Sequence, residues 1–136
     1  MIIADTSGLL ASFNDQEPQH ERVRHCLGES TEALVVSPYV LAELDYLIGT
    51  RIGVAAELAV LRELTDPAYE LATVSAEDLG TVADIVERYH NSNIGLTDAS
   101  LVALAGRYRT HRILTLDHRH FHALRALDGA SFELLP

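Results

Sequence analysis

Short apolar runs closed by polar residues punctuate this chain, and a stretch of helical periodicity follows each. The first run is Met1-Ile2-Ile3-Ala4, ending in Asp5-Thr6-Ser7. A run with no polar alternation reads as a strand buried on both faces. Ala33–Val36, Tyr69–Val74 and Arg112–Leu116 repeat the pattern, and Phe132–Leu135 suits a last edge strand. Helices are predicted over Gly8–Phe13, Pro18–Gly28, Tyr39–Ile48, Ala55–Leu64 and Ala76–His90, then from Thr97 or Asp98 to about Tyr108, and over Phe121–Leu127. Ser37-Pro38 supplies an N-cap followed by proline at the first helical position. Ser75 caps the next long helix, whose positive end suits Glu77 and Asp78. Strands alternating with helices predict an α/β domain over residues 1–136, with a mainly parallel sheet covered on both faces.

Composition narrows the chemistry. Net charge is −10, and all ten basic residues are Arg. Without lysine the chain is no Schiff-base enzyme, no Walker-type P-loop protein and no lysine-assisted phospho-aspartate domain. The acidic balance argues against unspecific polyanion binding and favours sites for cations or a basic protein partner. A single cysteine, Cys26, allows no internal disulfide, which suits a reducing cytoplasm. No apolar run is long enough to span a bilayer, and no leader pattern precedes the first strand, so a cytoplasmic protein without membrane contact is expected.

Four acids fall on one edge of this frame. In open α/β sheets, ligands bind outside the carboxyl ends of the strands. Asp5 and Asp117 each end a strand. Glu43 lies in the first half of the helix leaving Val36. The helix opened near Asp98 is followed by a short turn and then a strand, so it runs antiparallel to that strand and returns Asp98 to the same edge. Each acid has a plainer use, as a helix cap, a dipole partner or a turn residue. Convergence is costly: two like charges about 4 Å apart repel by roughly 4 kcal/mol at an effective dielectric near 20. A hard divalent cation reverses that sign and can activate water against a phosphodiester. Periodicity leaves one choice open. Val40, Leu41, Leu44, Leu47 and Ile48 form an apolar arc with Glu43 at one border and Asp45 at the other.

Ile3-Ala4-Asp5-Thr6-Ser7, Ser37-Pro38-Tyr39-Val40-Leu41-Ala42-Glu43-Leu44, Leu96-Thr97-Asp98-Ala99 and Ile113-Leu114-Thr115-Leu116-Asp117 together resemble the ordered acids of a PIN domain, and the length resembles the VapC toxins of type II toxin–antitoxin systems. The resemblance spans essentially the whole chain. It implies a three-layer α/β/α fold with the first strand central, and Mg²⁺- or Mn²⁺-dependent endoribonuclease activity on structured RNA. It also implies a homodimer silenced by a VapB-type antitoxin. Carried over, Asp5, Glu43, Asp98 and Asp117 match the acidic metal site, with Thr6, Ser7 and Thr115 as hydroxyls supporting it. His118-Arg119-His120-Phe121 departs from the aspartate-plus-phenylalanine ending of many relatives, which leaves Asp117 the weakest match.

Between Arg107 and Arg125 lie five Arg and four His against one acid, Asp117. This is the stretch suited to RNA phosphates, with Arg112, His118, Arg119 and His120 the foremost candidates. The i, i+2 spacing of His118, His120 and His122 is not a usual structural zinc pattern. Leu44, Leu47 and Ile48 are candidate anchors for an antitoxin helix wherever the core leaves them free. Two other classes compete with a nuclease. An inactive RNA- or protein-binding PIN-like module is disfavoured by the intact acids. A small phosphatase using Asp5 is disfavoured by Thr6-Ser7, where an Asp-x-Asp pair is wanted.

Overall fold

The computed structural model describes residues 1–136. Five short strands, β1 (Ile2–Ala4), β2 (Leu34–Val36), β3 (Tyr69–Leu71), β4 (Arg112–Leu114) and β5 (Glu133–Leu135), form one parallel sheet in the order β3-β2-β1-β4-β5. Seven helices accompany them: α1 (Thr6–Phe13), α2 (His20–Gly28), α3 (Pro38–Arg51), α4 (Val54–Glu63), α5 (Ala76–Arg88), α6 (Leu96–Arg107) and α7 (His118–His122). This is the expected three-layer α/β/α architecture with the first strand central.

Burial explains the central place of β1. Ile2, Ile3 and Ala4 are all fully buried, so both faces of this strand need a cover of helices. At the sheet edges, β3 and β5 keep exposed residues. One apolar core runs through the molecule, with Leu44, Ile48, Leu101, Leu104, Ile113 and Phe121 among its largest members.

Local signals set the helix starts. The Ser37 hydroxyl accepts the Tyr39 N–H, and Pro38 opens α3. Ser75 and Asp78 form a reciprocal capping box on α5. Several boundaries differ from expectation: β3 ends at Leu71 instead of Val74, β4 at Leu114 instead of Leu116 and α7 at His122 instead of Leu127, and α2 begins at His20 instead of Pro18. Two more bear on the acids. α6 begins at Leu96 behind Gly95, so Asp98 sits in its first turn rather than at its cap. α7 begins at His118 instead of Phe121, because the Asp117 carboxylate accepts the His120 N–H and closes a turn earlier.

The chain steps outward from β1 to β2 to β3, then returns to place β4 on the other side of β1. The crevice between β1 and β4 is therefore the point where strand order reverses, the place where open α/β sheets bind ligands. α1 leaves β1 close against β4. A Cβ at Gly8 would lie 2.7 Å from the Leu114 carbonyl oxygen, so only glycine admits this approach.

Candidate active site

The four acids named from the sequence line one cleft of about 520 Å³ at the carboxyl edge of the sheet. They reach it from four elements: Asp5 from the end of β1, Glu43 from α3, Asp98 from α6 and Asp117 from the turn after β4. Glu43 is the border residue of α3 that faces the cleft. Asp45 lies on the other border, in the seam between α3 and α4 with Leu41 and Leu61.

Asp5 is 8% exposed and tightly oriented. Ser7 Oγ and Thr115 Oγ1 both donate to its Oδ2, each at 2.8 Å. Those hydroxyls then accept the backbone N–H groups of Leu116 (2.9 Å) and Asp117 (3.0 Å). Each hydroxyl has one proton, and both protons are spent on the same oxygen, so Oδ1 has no protein partner. The bonds cross from β1 to β4 and fix the carboxylate at the switch point. Ser7 and Thr115 thus support an acid, while Thr6 does not: its Oγ1 is buried without any hydrogen-bond partner.

Asp98 is held differently. His120 Nε2 lies 3.0 Å from its Oδ2. Burial pushes the Asp98 carboxyl above the usual carboxylate range. The nearby His120 opposes this, and the charges of Asp5 and Glu43 add to it. Asp5 and Glu43 are therefore both in electrostatic reach of Asp98. Asp117 combines its place in the cleft with capping α7, so its plainer role and its site role coexist.

A buried hydroxyl pair brings two of these elements into register. Ser100 Oγ donates to the Thr97 carbonyl at 2.6 Å, so in the 2.9 Å contact between Ser37 and Ser100 the proton comes from Ser37. This joins the start of α3, which carries Glu43, to the first turn of α6, which carries Asp98. Sequence reasoning missed Ser100, although a lone hydroxyl in the apolar run Ala99–Ala105 is the signal that marks it. It also missed Arg51 and Asn93, which line the cleft. Arg51 follows Glu43 and Leu47 at successive steps of four along α3, the spacing of one helix face. Asn93 sits at φ 54°, a left-handed conformation that Asn tolerates.

The basic stretch is cut in two by β4. Its three residues span about 10 Å, so side chains before and after it stand at opposite edges of the sheet. Arg112 lies at the amino edge, paired with Glu32 and Glu133. His111 pairs with Asp128 there, and Arg107 binds Asp78 and the Thr73 carbonyl. The expectation that Arg112 serves the RNA site is corrected accordingly. Arg119 and His120 lie at the cleft end, together lining a hollow that adjoins Asp117. His118 Nε2 is 3.1 Å from the Thr115 carbonyl, which ties it to the backbone. Leu44 and Ile48 are consumed by the core, leaving Leu47 alone of the three at the cleft. No helix is long and apolar enough to cross a membrane.

The PIN domain family profile matches residues 2–127. Ribonuclease VapC26 of Mycobacterium tuberculosis (strain ATCC 25618 / H37Rv) is 56% identical over 135 residues, spanning 99% of this chain and 100% of that protein. The chain is a PIN-domain protein of the VapC family. Solved structures agree with this PIN domain in fold. M. tuberculosis VapC20, described as a sarcin-ricin loop cleaving toxin, superposes with a TM-score of 0.82 at 20% identity, covering 90% of this chain and 95% of that one. VapBC2 of Rickettsia felis, bound to a DNA fragment from its promoter, gives a TM-score of 0.72 at 17% identity over 100% of both chains.

Proposed function

We propose that this PIN domain is the toxin of a type II toxin–antitoxin pair, a Mg²⁺- or Mn²⁺-dependent endoribonuclease acting in the cytoplasm. In this reading it cuts a structured RNA, in a transfer RNA or a ribosomal RNA loop, and so inhibits translation. A homodimer is held silent by a VapB-type antitoxin whose basic segment enters the acidic cleft. The observation that carries the reading is the convergence of four carboxylates on the β1/β4 switch point. The relative named as a ribonuclease, the loop-cleaving description of VapC20 and the VapB–VapC assembly of R. felis support it.

The residues fit a hard cation. All four acids offer carboxylate oxygens, the free Oδ1 of Asp5 among them, and Asp98, raised first by burial and then by the charges of Asp5 and Glu43, is a carboxylate whose ionised form a cation would favour. No three His, Cys, Asp or Glu side chains gather into a ready-made metal cage anywhere in the molecule, so the acids surround the cleft without yet closing on a point. When bound, the ion supplies an activated water and charge neutralisation at the phosphodiester. The protein's own part is orientation. Ser7 and Thr115 aim Asp5, the Ser37–Ser100 pair sets Glu43 against Asp98, and His120 holds Asp98. Arg119 and His120 flank the cleft for strand phosphates, and Arg51 brings a guanidinium to it.

The test is cleavage of RNA by the purified chain with Mg²⁺ or Mn²⁺, in EDTA, and with Asp5→Asn. RNA 5′ ends are mapped after induced expression to find the target. Metal-dependent cuts absent from Asp5→Asn are expected. Cuts that survive both EDTA and Asp5→Asn would overturn the reading.

A further inference from the structure

The first turn of α1 contains donors that the acid site does not use. Asp5 occupies the N-cap position, yet its carboxylate makes no cap bond because Ser7 and Thr115 hold it. The first helical bond runs from the Leu9 N–H to the Asp5 carbonyl, which leaves the N–H groups of Thr6, Ser7 and Gly8 without an acceptor. Beside them, Thr6 Oγ1 is the one buried side-chain polar atom in the molecule with no hydrogen-bond partner. Thr6 is 4% exposed and lines the acidic cleft. Native proteins rarely leave a buried hydroxyl unpaired, and its two neighbouring hydroxyls are fully used.

We propose that the uncapped start of α1 and the Thr6 hydroxyl form a receptor for a phosphate of the RNA strand, separate from the carboxylates that would hold the cation. This deepens the ribonuclease reading and rests on it. A helix start carries about half a positive charge and presents N–H groups that suit phosphate. Thr6, at the first helical position, has no helical carbonyl one turn back to bond, so its hydroxyl proton is uncommitted and available to an acceptor. Such a site gives a negatively charged strand a positive foothold inside a cleft walled by acids.

The proposal is tested with Thr6→Val, which keeps the shape and removes the hydroxyl, and Thr6→Ser, which restores it. Thr6→Val should raise KM for RNA roughly 10-fold, with kcat within about 3-fold of wild type, as expected for a lost hydrogen bond to a charged group. Its melting temperature should hold or rise, since an unpaired polar group has been removed. Thr6→Ser should return KM to near the wild-type value. Amide NMR of the full chain with calcium reads the same site without turnover. The Thr6, Ser7 and Gly8 N–H signals should move with a single-stranded RNA oligonucleotide and stay still with its uncharged methylphosphonate counterpart. An unchanged KM in Thr6→Val, or equal shifts with both oligonucleotides, overturns the receptor. Absence of any metal-dependent cleavage by the wild type would instead sink the ribonuclease reading, and the NMR comparison would still decide the phosphate site.

Discussion

At the scale of single residues, the two borders of α3 separate function from packing. Glu43 and Asp45 are two positions apart, yet one lines the acidic cleft and the other the seam against α4. Glu43→Gln should lower RNA cleavage by roughly 100-fold or more, the scale on which removal of a group stabilising reaction charge is felt. Asp45→Asn should leave activity within about 2-fold, while its charge change alters α3–α4 packing only slightly. Initial rates on one RNA decide between them, and equal losses would show that Asp45 serves the site as much as Glu43 does. Asp98 makes a separate prediction through pH. Its folded-state value is raised above the ordinary 3.8, so the folded protein binds more protons than the unfolded chain between those two values. The contribution of this group to stability falls as pH rises through that window and stays lost above it. Asp98→Asn removes the charge and keeps an oxygen for His120. In EDTA it should be more stable than wild type at neutral pH, with the difference fading below about pH 3.8. Urea denaturation across pH reads this directly. A variant less stable than wild type at pH 7 would mean that the His120 contact outweighs the cost of burying this carboxylate near Asp5 and Glu43.

At the scale of elements, two backbone positions have opposite expectations. Gly8 lets α1 press on β4, and an added Cβ would meet both the Leu114 side chain and its carbonyl oxygen at 2.7 Å. Gly8→Ala should cost about 1–3 kcal/mol in a denaturation curve. It should also lose cleavage, because moving α1 off β4 breaks the bridge from Thr115 to Asp5. Arg109 is the reverse case. α6 ends with Thr110 N–H bonding the Ala105 carbonyl and Arg109 N–H bonding the Gly106 carbonyl, and Arg109 takes φ 53°. That is the left-handed closing position where glycine is favoured. Arg109→Gly relieves a strain of about 1–2 kcal/mol against the greater unfolded freedom of glycine, so a net gain of up to about 1 kcal/mol is expected. Because Arg109 stands at the edge of the sheet away from the acids, cleavage should be unchanged.

At the scale of the whole molecule, the charge distribution sets the response to ions. On the proposed function, the net charge of −10 and the gathering of acids at one edge give the folded state an affinity for cations that the unfolded chain lacks. Mg²⁺ or Mn²⁺ should therefore raise the melting temperature, with roughly 2.7 kcal/mol of stabilisation when the ion exceeds its Kd 100-fold. The shift should shrink in the Asp5→Asn, Asp98→Asn double variant, as differential scanning calorimetry would show. A full shift in that variant would place the ion elsewhere. In the proposed complex, the same field would favour a basic antitoxin segment, with Arg or Lys approaching the carboxylates.

The strands, the alternation with helices and the ends where the acids sit were legible in the residues, because each depends on neighbours a few positions away. Ile2-Ile3-Ala4 must be covered on both faces, Ser37-Pro38 must open a helix, and Asp5 must close its strand, whereas β4 stops at Leu114 and Asp117 follows in the turn that caps α7. The remaining features depend on residues far apart in the chain. Glu43 was separated from Asp45 by the packing of α4, since the apolar arc treats both as borders. Arg112 and Arg119 look like members of one basic run, but a three-residue strand carries them to opposite edges of the sheet. Leu44 and Ile48 were taken by the core, leaving Leu47 at the cleft. Thr6 and Ser7 are adjacent hydroxyls, and only Ser7 meets Asp5 and the backbone of Leu116, 109 positions away. Local pattern places a residue on an element. Which group its side chain meets is set by how distant elements pack, and that is where the working geometry of this site resides.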